Sequence, residues 1–148
     1  MSGMEHNLDE LADWATGYVN QLKPAAARSL ARQIGMLLKR STQKTMRAQT
    51  TPAGKEWPKR RPQEGKTSRR KMFTKLATRL KVKPTASGVT TGWSASDSRI
   101  AVIHHRGLSE RASFGGLISF DKRELIGLTP ELEAQVRELI LTHMAAAV

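Results

Sequence analysis

Arg79-Leu80-Lys81-Val82-Lys83-Pro84-Thr85-Ala86-Ser87-Gly88-Val89-Thr90-Thr91-Gly92-Trp93 breaks the helical rhythm of the chain around it. Its first five residues alternate basic and apolar side chains, the period of a half-buried strand. Pro84 to Gly88 supplies turn formers, and the next five residues are rich in β-branched side chains. The spacing predicts a β-hairpin over residues 79–93.

Two helical patterns precede it. Leu8, Leu11, Ala12, Ala15, Tyr18 and Leu22 recur at helical spacing, with Asn7 as N-cap and Asp9 and Glu10 in the first turn. Trp14 lies just off this stripe; burial in the core is preferred over contact with another chain. A second helix opens at Pro24, a residue favoured at the first helical position. Ala27, Leu30, Ala31, Ile34, Leu37 and Leu38 form its apolar face. Gly35 weakens the helix and allows close approach of a neighbour. The pattern turns polar at Ser41-Thr42-Gln43-Lys44, which predicts an exposed last turn or two. The two helices read as a hairpin whose stripes bury each other and a sheet. Further on, Met72, Phe73, Leu76 and Leu80 are spaced for a short helix, with Arg69, Arg70, Lys71 and Lys75 on its wet side.

After the hairpin, Ser96-Asp97-Ser98 leads into the apolar run 100–103. Its β propensity favours a strand, but the capping residues and acid before it, and His104, His105, Arg106 and Gly107 after it, favour a short helix. Leu108 to Gly116 reads as loop. Leu117 to Phe120 and Arg123 to Ile126 read as two short strands around Asp121-Lys122. Thr129 and Pro130 then start a last helix, with Glu131 and Glu133 in its first turn and Leu132, Val136, Leu139, Ile140 and Met144 on its buried face. The order predicts an α+β fold with helices against a small antiparallel sheet.

The 148 residues are long enough for one domain spanning residues 1–148, burying roughly 70% of the unfolded surface. There are no cysteines, so disulfides and thiolate metal sites are excluded. No signal core is present, and no apolar run approaches the ~20 residues of a membrane span. The chain reads as a soluble product made or assembled inside a cell.

Net charge is +12, and residues 39–83 hold sixteen bases against two acids, Glu56 and Glu64, so the whole excess lies there. Such charge implies a polyanionic or acidic partner and says nothing of fold. Between about 48 and 68 no period of either kind is present, and Pro52, Gly54, Pro58, Pro62 and Gly65 predict a long basic loop. Trp57 is its one large apolar group and should anchor the loop to its own domain or to a neighbouring subunit.

No phosphate loop, nucleophile elbow or His-Glu-x-x-His motif is present, and no cofactor is expected. His104 and His105 are adjacent, so they cannot serve one metal from one helix face; both fit as complements to a helix C-terminus. Gly115-Gly116 reads as a loop tip. Nucleic-acid binding meets the electrostatic criterion, but only Trp57 and Phe73 interleave the charge as stacking groups. Non-specific phosphate contact through residues 39–83 is the alternative function.

Four stretches carry a resemblance. Pro52-Ala-Gly-Lys-Glu-Trp57-Pro58 resembles the Pro-x-Gly-x-x-Trp-x-Pro loop of the virion morphogenesis, or tail-completion, proteins of contractile-tailed phages. Lys71-Met72-Phe73 follows it, as in that family. The segment Ile100-Ala-Val-Ile-His104-His105-Arg106-Gly107 resembles their Ala-x-Ile-His-x-x-Gly block. Arg123-Glu-Leu-Ile-Gly127-Leu128-Thr129 resembles their Arg-x-Leu-Leu-Gly-Leu-Thr close. The matches keep the family's order over residues 8–144. Ala53 departs from the Asp that many relatives carry, which removes an Asp-Gly pair from that turn.

The resemblance implies a non-enzymatic structural protein of the virion tail or neck, assembled in the host cytoplasm. It would complete or terminate the tail at its head-proximal end and help head–tail joining. It also implies a tail-terminator-like fold: N-terminal helical hairpin, long basic loop, small antiparallel sheet and C-terminal helix packed on the sheet. The implied partners are further copies in a hexameric ring and the tail tube, sheath or neck proteins. A long loop can reach across a heterologous ring contact. Trp57, Pro52, Gly54, Lys59, Arg60 and Arg61 are therefore the candidate interface residues. Lys66, Arg69, Arg70, Lys81 and Lys83 are candidates for contact with genomic DNA or an acidic partner.

Overall fold

The computed structural model describes residues 10, 13–14, 17–18, 21–60, 70–113 and 115–146. Four helices are α1 (Pro24–Arg47), α2 (Thr74–Arg79), α3 (Ala95–Arg106) and α4 (Pro130–Ala146). Strands β1 (Lys81–Pro84) and β2 (Val89–Gly92) pair with each other, as do β3 (Ser109–Arg111) and β4 (Leu117–Ser119). The connection between β1 and β2 is too short for a parallel crossover, so this is the expected antiparallel hairpin. The fold class is α+β, as the sequence predicts. Glu10, Asp13, Trp14, Gly17 and Tyr18 are helical; Asn7 and the rest of the first expected helix lie outside the described residues.

The chain forms two compact units. One comprises Met1–Arg40, Lys81–Thr91 and Leu128–Val148. Its core joins Leu30 of α1 to Val136 and Ile140 of α4, with Tyr18, Leu22 and Ile34 packed against them. Leu132, Val136 and Ile140 recur one turn apart, so α4 presents a single buried stripe. Its start is fixed locally: the Thr129 hydroxyl accepts the Leu132 N–H at 3.2 Å. The Tyr18 hydroxyl lies 2.9 Å from His143 Nδ1. Among the described residues, the cluster that buries Val136 and Ile140 of α4 is built with α1 and contains no strand residue.

The β1–β2 hairpin lies on α1 at Gly35. A Cβ there would come within 2.2 Å of Val82 Cγ1 and 2.7 Å of Val89 Cγ2. Gly35 is thus the site of close approach that the sequence predicts, and the neighbour is the hairpin. Trp14 differs from expectation: it is 37% exposed. The Arg137 guanidinium carbon stands 5.2 Å over its ring, so a cation covers the face and the remainder meets water.

The other unit comprises Ser41–Leu80 and Gly92–Gly127. Here the end of α1 is not the exposed segment that its polarity predicts. Thr42 is buried, and Met46, 1% exposed, enters a core with Trp57, Leu76, Ala77, Ala101 and Leu125. The nearby Thr45 hydroxyl is absorbed by the Ser41 and Thr42 carbonyls, so the polar side chains of this turn do not require water. α2 begins later than the apolar spacing predicts, because Phe73 takes a left-handed conformation (φ 61°). α3 is the helix favoured over a strand, and it closes as expected: Gly107 (φ 65°) donates its N–H to the Ile103 carbonyl.

Two expectations fail in this unit. Residues 109–111, read as loop, form β3, with Glu110 opposite Ile118. No apolar residue marks this strand; its register is held by β4 and by the Glu110 ion pair to Arg99 of α3. Arg123 to Ile126, read as a strand, form none. Their backbone is satisfied instead by the last turn of α3: the Arg123 N–H donates to the His104 carbonyl at 2.8 Å, and the Leu125 N–H to His105 Nδ1 at 3.0 Å.

Gly35→Ala separates propensity from packing. In an isolated helix the change should stabilise by ~1 kcal/mol. Here overpacking against the hairpin should dominate, with a net loss of about 1–3 kcal/mol in urea denaturation. A second substitution, Val82→Ala, should restore part of it. Undiminished stability of the single variant would show that the Cβ is accommodated.

Candidate functional site

The basic loop leaves α1 through a tight, hydrogen-bonded turn. Gln49 adopts a left-handed conformation (φ 61°). Thr50 and Glu56 form an antiparallel bridge, the Thr51 N–H donates to the Lys55 carbonyl at 2.7 Å, and the Trp57 N–H donates to the Gln49 carbonyl at 3.0 Å. Gly54 sits at the tip with φ 92°, a conformation that suits glycine. The turn therefore closes without an Asp before the glycine.

Side-chain amide chemistry ties the start of this loop to its far end. Gln49 Nε2 donates to the Met72 carbonyl at 2.9 Å, and Gln49 Oε1 accepts the Met72 N–H at 2.7 Å. One primary amide thus replaces a strand partner for Met72. Trp57 is 5% exposed, and its indole N–H donates to the Glu124 carbonyl at 3.0 Å. Arg123, also buried, donates from Nε to the Pro58 carbonyl (2.9 Å) and from an Nη to the Lys59 carbonyl (3.1 Å). An Asp121 carboxylate oxygen lies 3.6 Å from the same guanidinium. A buried guanidinium is tolerated when its donors and charge are met in this way.

An aromatic row backs the loop. Trp57 meets Phe73 edge-on at 5.5 Å, Phe73 meets His104 at 4.6 Å and His104 meets Phe120 at 4.9 Å. The two histidines lie in the last turn of α3, as expected, but their surroundings disfavour the charged form. Burial, and then the charge of Arg123, lowers the His104 pKa. Burial is also the main cause lowering His105, with Glu124 opposing and Lys122 and Arg106 assisting. Neutral His105 suits the hydrogen bond its Nδ1 accepts from Leu125.

The expected site residues separate. Trp57 belongs to the chain's own core. Gly54, Lys59, Arg60 and Arg70 are exposed in the same unit, and Pro52 is half-buried. Lys81 and Lys83 are exposed in the other unit, on β1. Arg61, Lys66 and Arg69 lie outside the described residues. Gln49 and Arg123, which hold the loop, are not among the residues that the sequence marks as candidates. Arg123 had a signal, since it opens the block 123–129; Gln49 had none. Among the described residues no cluster of three or more His, Cys, Asp or Glu could hold a metal ion. No helix among them is long and apolar enough to cross a membrane.

Arg123→Met should cost about 2–4 kcal/mol in denaturation, because two loop carbonyls lose a charged donor pair and Asp121 its cation. Arg123→Lys should recover only part, since an ammonium lacks the fork that spans both carbonyls. Full stability of the Met variant would show that Trp57 and Gln49 hold the loop without Arg123. The histidines predict acid sensitivity. A histidine whose pKa is lower in the folded than in the unfolded chain binds its proton more weakly when folded. Its contribution is intact above the ordinary value of 6.5 and is lost as pH falls from there through the folded value. The denaturation midpoint should hold steady between about pH 8 and 7 and drop below about pH 6.5. The double variant His104→Phe, His105→Asn should flatten that drop; an unchanged slope would assign it to other groups.

The sequence profile of the phage virion morphogenesis family matches residues 6–145. The chain is also 32% identical over 141 residues to tail completion protein S of Escherichia phage P2, covering 89% of this chain and 93% of that protein. No solved structure is significantly similar. The profile match runs through both compact units and includes Gln49, Trp57 and Arg123. The chain therefore belongs to the phage virion morphogenesis family.

Proposed function

We propose that the chain is a structural tail-completion protein. It terminates the tail at its head-proximal end as a ring, of six copies by the family resemblance, and readies the tail for joining to the head. It is thereby a component of the tail or neck, assembled in the host cytoplasm, with the tube, sheath or neck proteins as neighbours. The relationship to tail completion protein S supports the tail role.

The observation that carries the interface is the fixing of a basic loop by its own core. Trp57 and Arg123 hold the backbone of Pro58 and Lys59 in place, while Lys59 and Arg60 remain exposed. A surface held this way loses little conformational entropy when a neighbour meets it. The loop then contacts a neighbouring copy or tail protein through its cations, with Pro52 and Gly54 at its turn, and not through Trp57. Arg70, Lys81 and Lys83 are exposed and free to meet passing DNA or acidic neighbours. The competing function, a non-specific nucleic-acid-binding module, loses its main stacking platform with the burial of Trp57.

Purified protein should form a closed oligomer, alone or on tail tubes, by light scattering and electron microscopy. A strict monomer that binds neither tubes nor neck proteins would exclude the proposal. Lys59→Ala, Arg60→Ala, Arg61→Ala should lower complementation of a phage lacking the protein by about ten-fold or more, equivalent to ~1.4 kcal/mol of contact energy. If activity instead tracks DNA affinity across a salt series, the nucleic-acid module is the better account.

A further inference from the structure

The first unit carries a surface groove that neither its core nor the basic loop accounts for. It encloses about 580 Å³ between α1 and α4. Met36, Leu37 and Leu139 are its half-buried apolar residues, with Arg32 and Arg40 exposed on the α1 side and Glu138 exposed on the α4 side. Arg32, Met36 and Arg40 follow one another at four-residue spacing, so they form one stripe about 12 Å long on a single face of α1.

The electrostatics of this wall are one-sided. α1 contains no acidic residue in Pro24–Arg47. Among the described residues no ion pair reaches Arg28, Arg32 or Arg40, whereas Arg137 of α4 is paired with Glu133. The described part of the N-terminal segment is engaged elsewhere. Trp14 meets Arg137 and Tyr18 meets His143, and neither of those residues lines the groove. A nucleic-acid backbone is a poor match, since it would leave Met36, Leu37 and Leu139 uncovered and would meet Glu138.

We infer that this groove docks an acidic amphipathic helix of a partner protein. The partner's apolar side chains cover Met36, Leu37 and Leu139, and its carboxylates, one turn to either side, meet Arg32 and Arg40. Two helices flanking a third along an apolar seam is a recurring recognition mode, and charge on the rim sets orientation and partner choice. The partner's place in the virion rests on the tail-completion proposal; its chemistry rests on the groove alone.

Two labelled synthetic helical peptides with the same leucine spacing test it by fluorescence anisotropy. One has glutamates flanking the leucines, the other lysines. The full chain should bind the glutamate peptide about ten-fold or more tightly than the lysine peptide. Arg32→Glu, Arg40→Glu should reverse that preference, and Met36→Glu should weaken both peptides. Lys59→Ala, Arg60→Ala should change neither. If the double reversal fails to fold, Arg32→Gln, Arg40→Gln should still abolish the preference. Equal binding of the two peptides, or an unchanged preference in both arginine variants, overturns the inference. So does displacement of the glutamate peptide by a short DNA duplex, which would assign the groove to nucleic acid. So does loss of self-association in the arginine variants without any peptide binding by the parent chain, which would assign it to a second copy. In infected cells the arginine variant should complement poorly. Normal complementation by that variant removes the groove from assembly and leaves tail completion intact, whereas failure of the parent chain to complement counts against tail completion only.

Discussion

The Arg123 guanidinium, buried against the Pro58 and Lys59 carbonyls, is the constraint on which the second unit depends. A charged group is stable inside only while its donors and charge are met, so its burial and the course of the loop are one fact. The neighbouring Glu124 carbonyl takes the Trp57 indole N–H, and the Arg123 and Leu125 N–H groups reach back to α3. Three consecutive residues thereby tie the loop to the helix that carries His104 and His105. The apolar core around Met46, Leu76 and Leu125 supplies most of the favourable burial. The polar clamp sets which of many apolar packings is adopted.

Where the sequence was legible, local signals determined the outcome. Thr129-Pro130 and a one-turn stripe marked α4; Gly107 marked the end of α3; alternation around Val82 marked β1. Each depends on residues a few positions apart. The missed features depend on distant partners. Ser41 to Lys44 reads as an exposed end because the burial of Thr42, and of Met46 beyond it, needs a core assembled from residues far along the chain. Ser109-Glu110-Arg111 has no apolar member, and only the opposing strand makes it β. Arg123 reads as the start of a short strand, and nothing nearby announces the carbonyls that receive its guanidinium. Of the interface candidates, the exposure of Lys59 and Arg60 was legible from composition. Composition does not decide whether Trp57 turns to its own core or to a neighbour, because an indole suits either.

Family membership and loop geometry contribute different things. The relationship to the phage virion morphogenesis family covers nearly the whole chain. The geometry states which residues are engaged internally and which face outward. Trp57, Phe73, His104 and Phe120 form a row that stiffens the unit from within. The outward cations Lys59 and Arg60 stand on backbone that this row and Arg123 hold fixed. The proposed role in assembly would use that division, because a surface whose backbone is already fixed loses little conformational entropy on contact.

β1 bears on how such a chain survives while awaiting assembly. Among the described residues each sheet has only two strands, so every strand has one side without a strand partner there. Strands of three or four residues offer few hydrogen bonds to another molecule. β1 adds Lys81 and Lys83 on its exposed positions and ends on Pro84, which has no N–H to donate. Lys81 and Lys83 therefore repel a second copy's β1 and guard the hairpin against edge-to-edge aggregation.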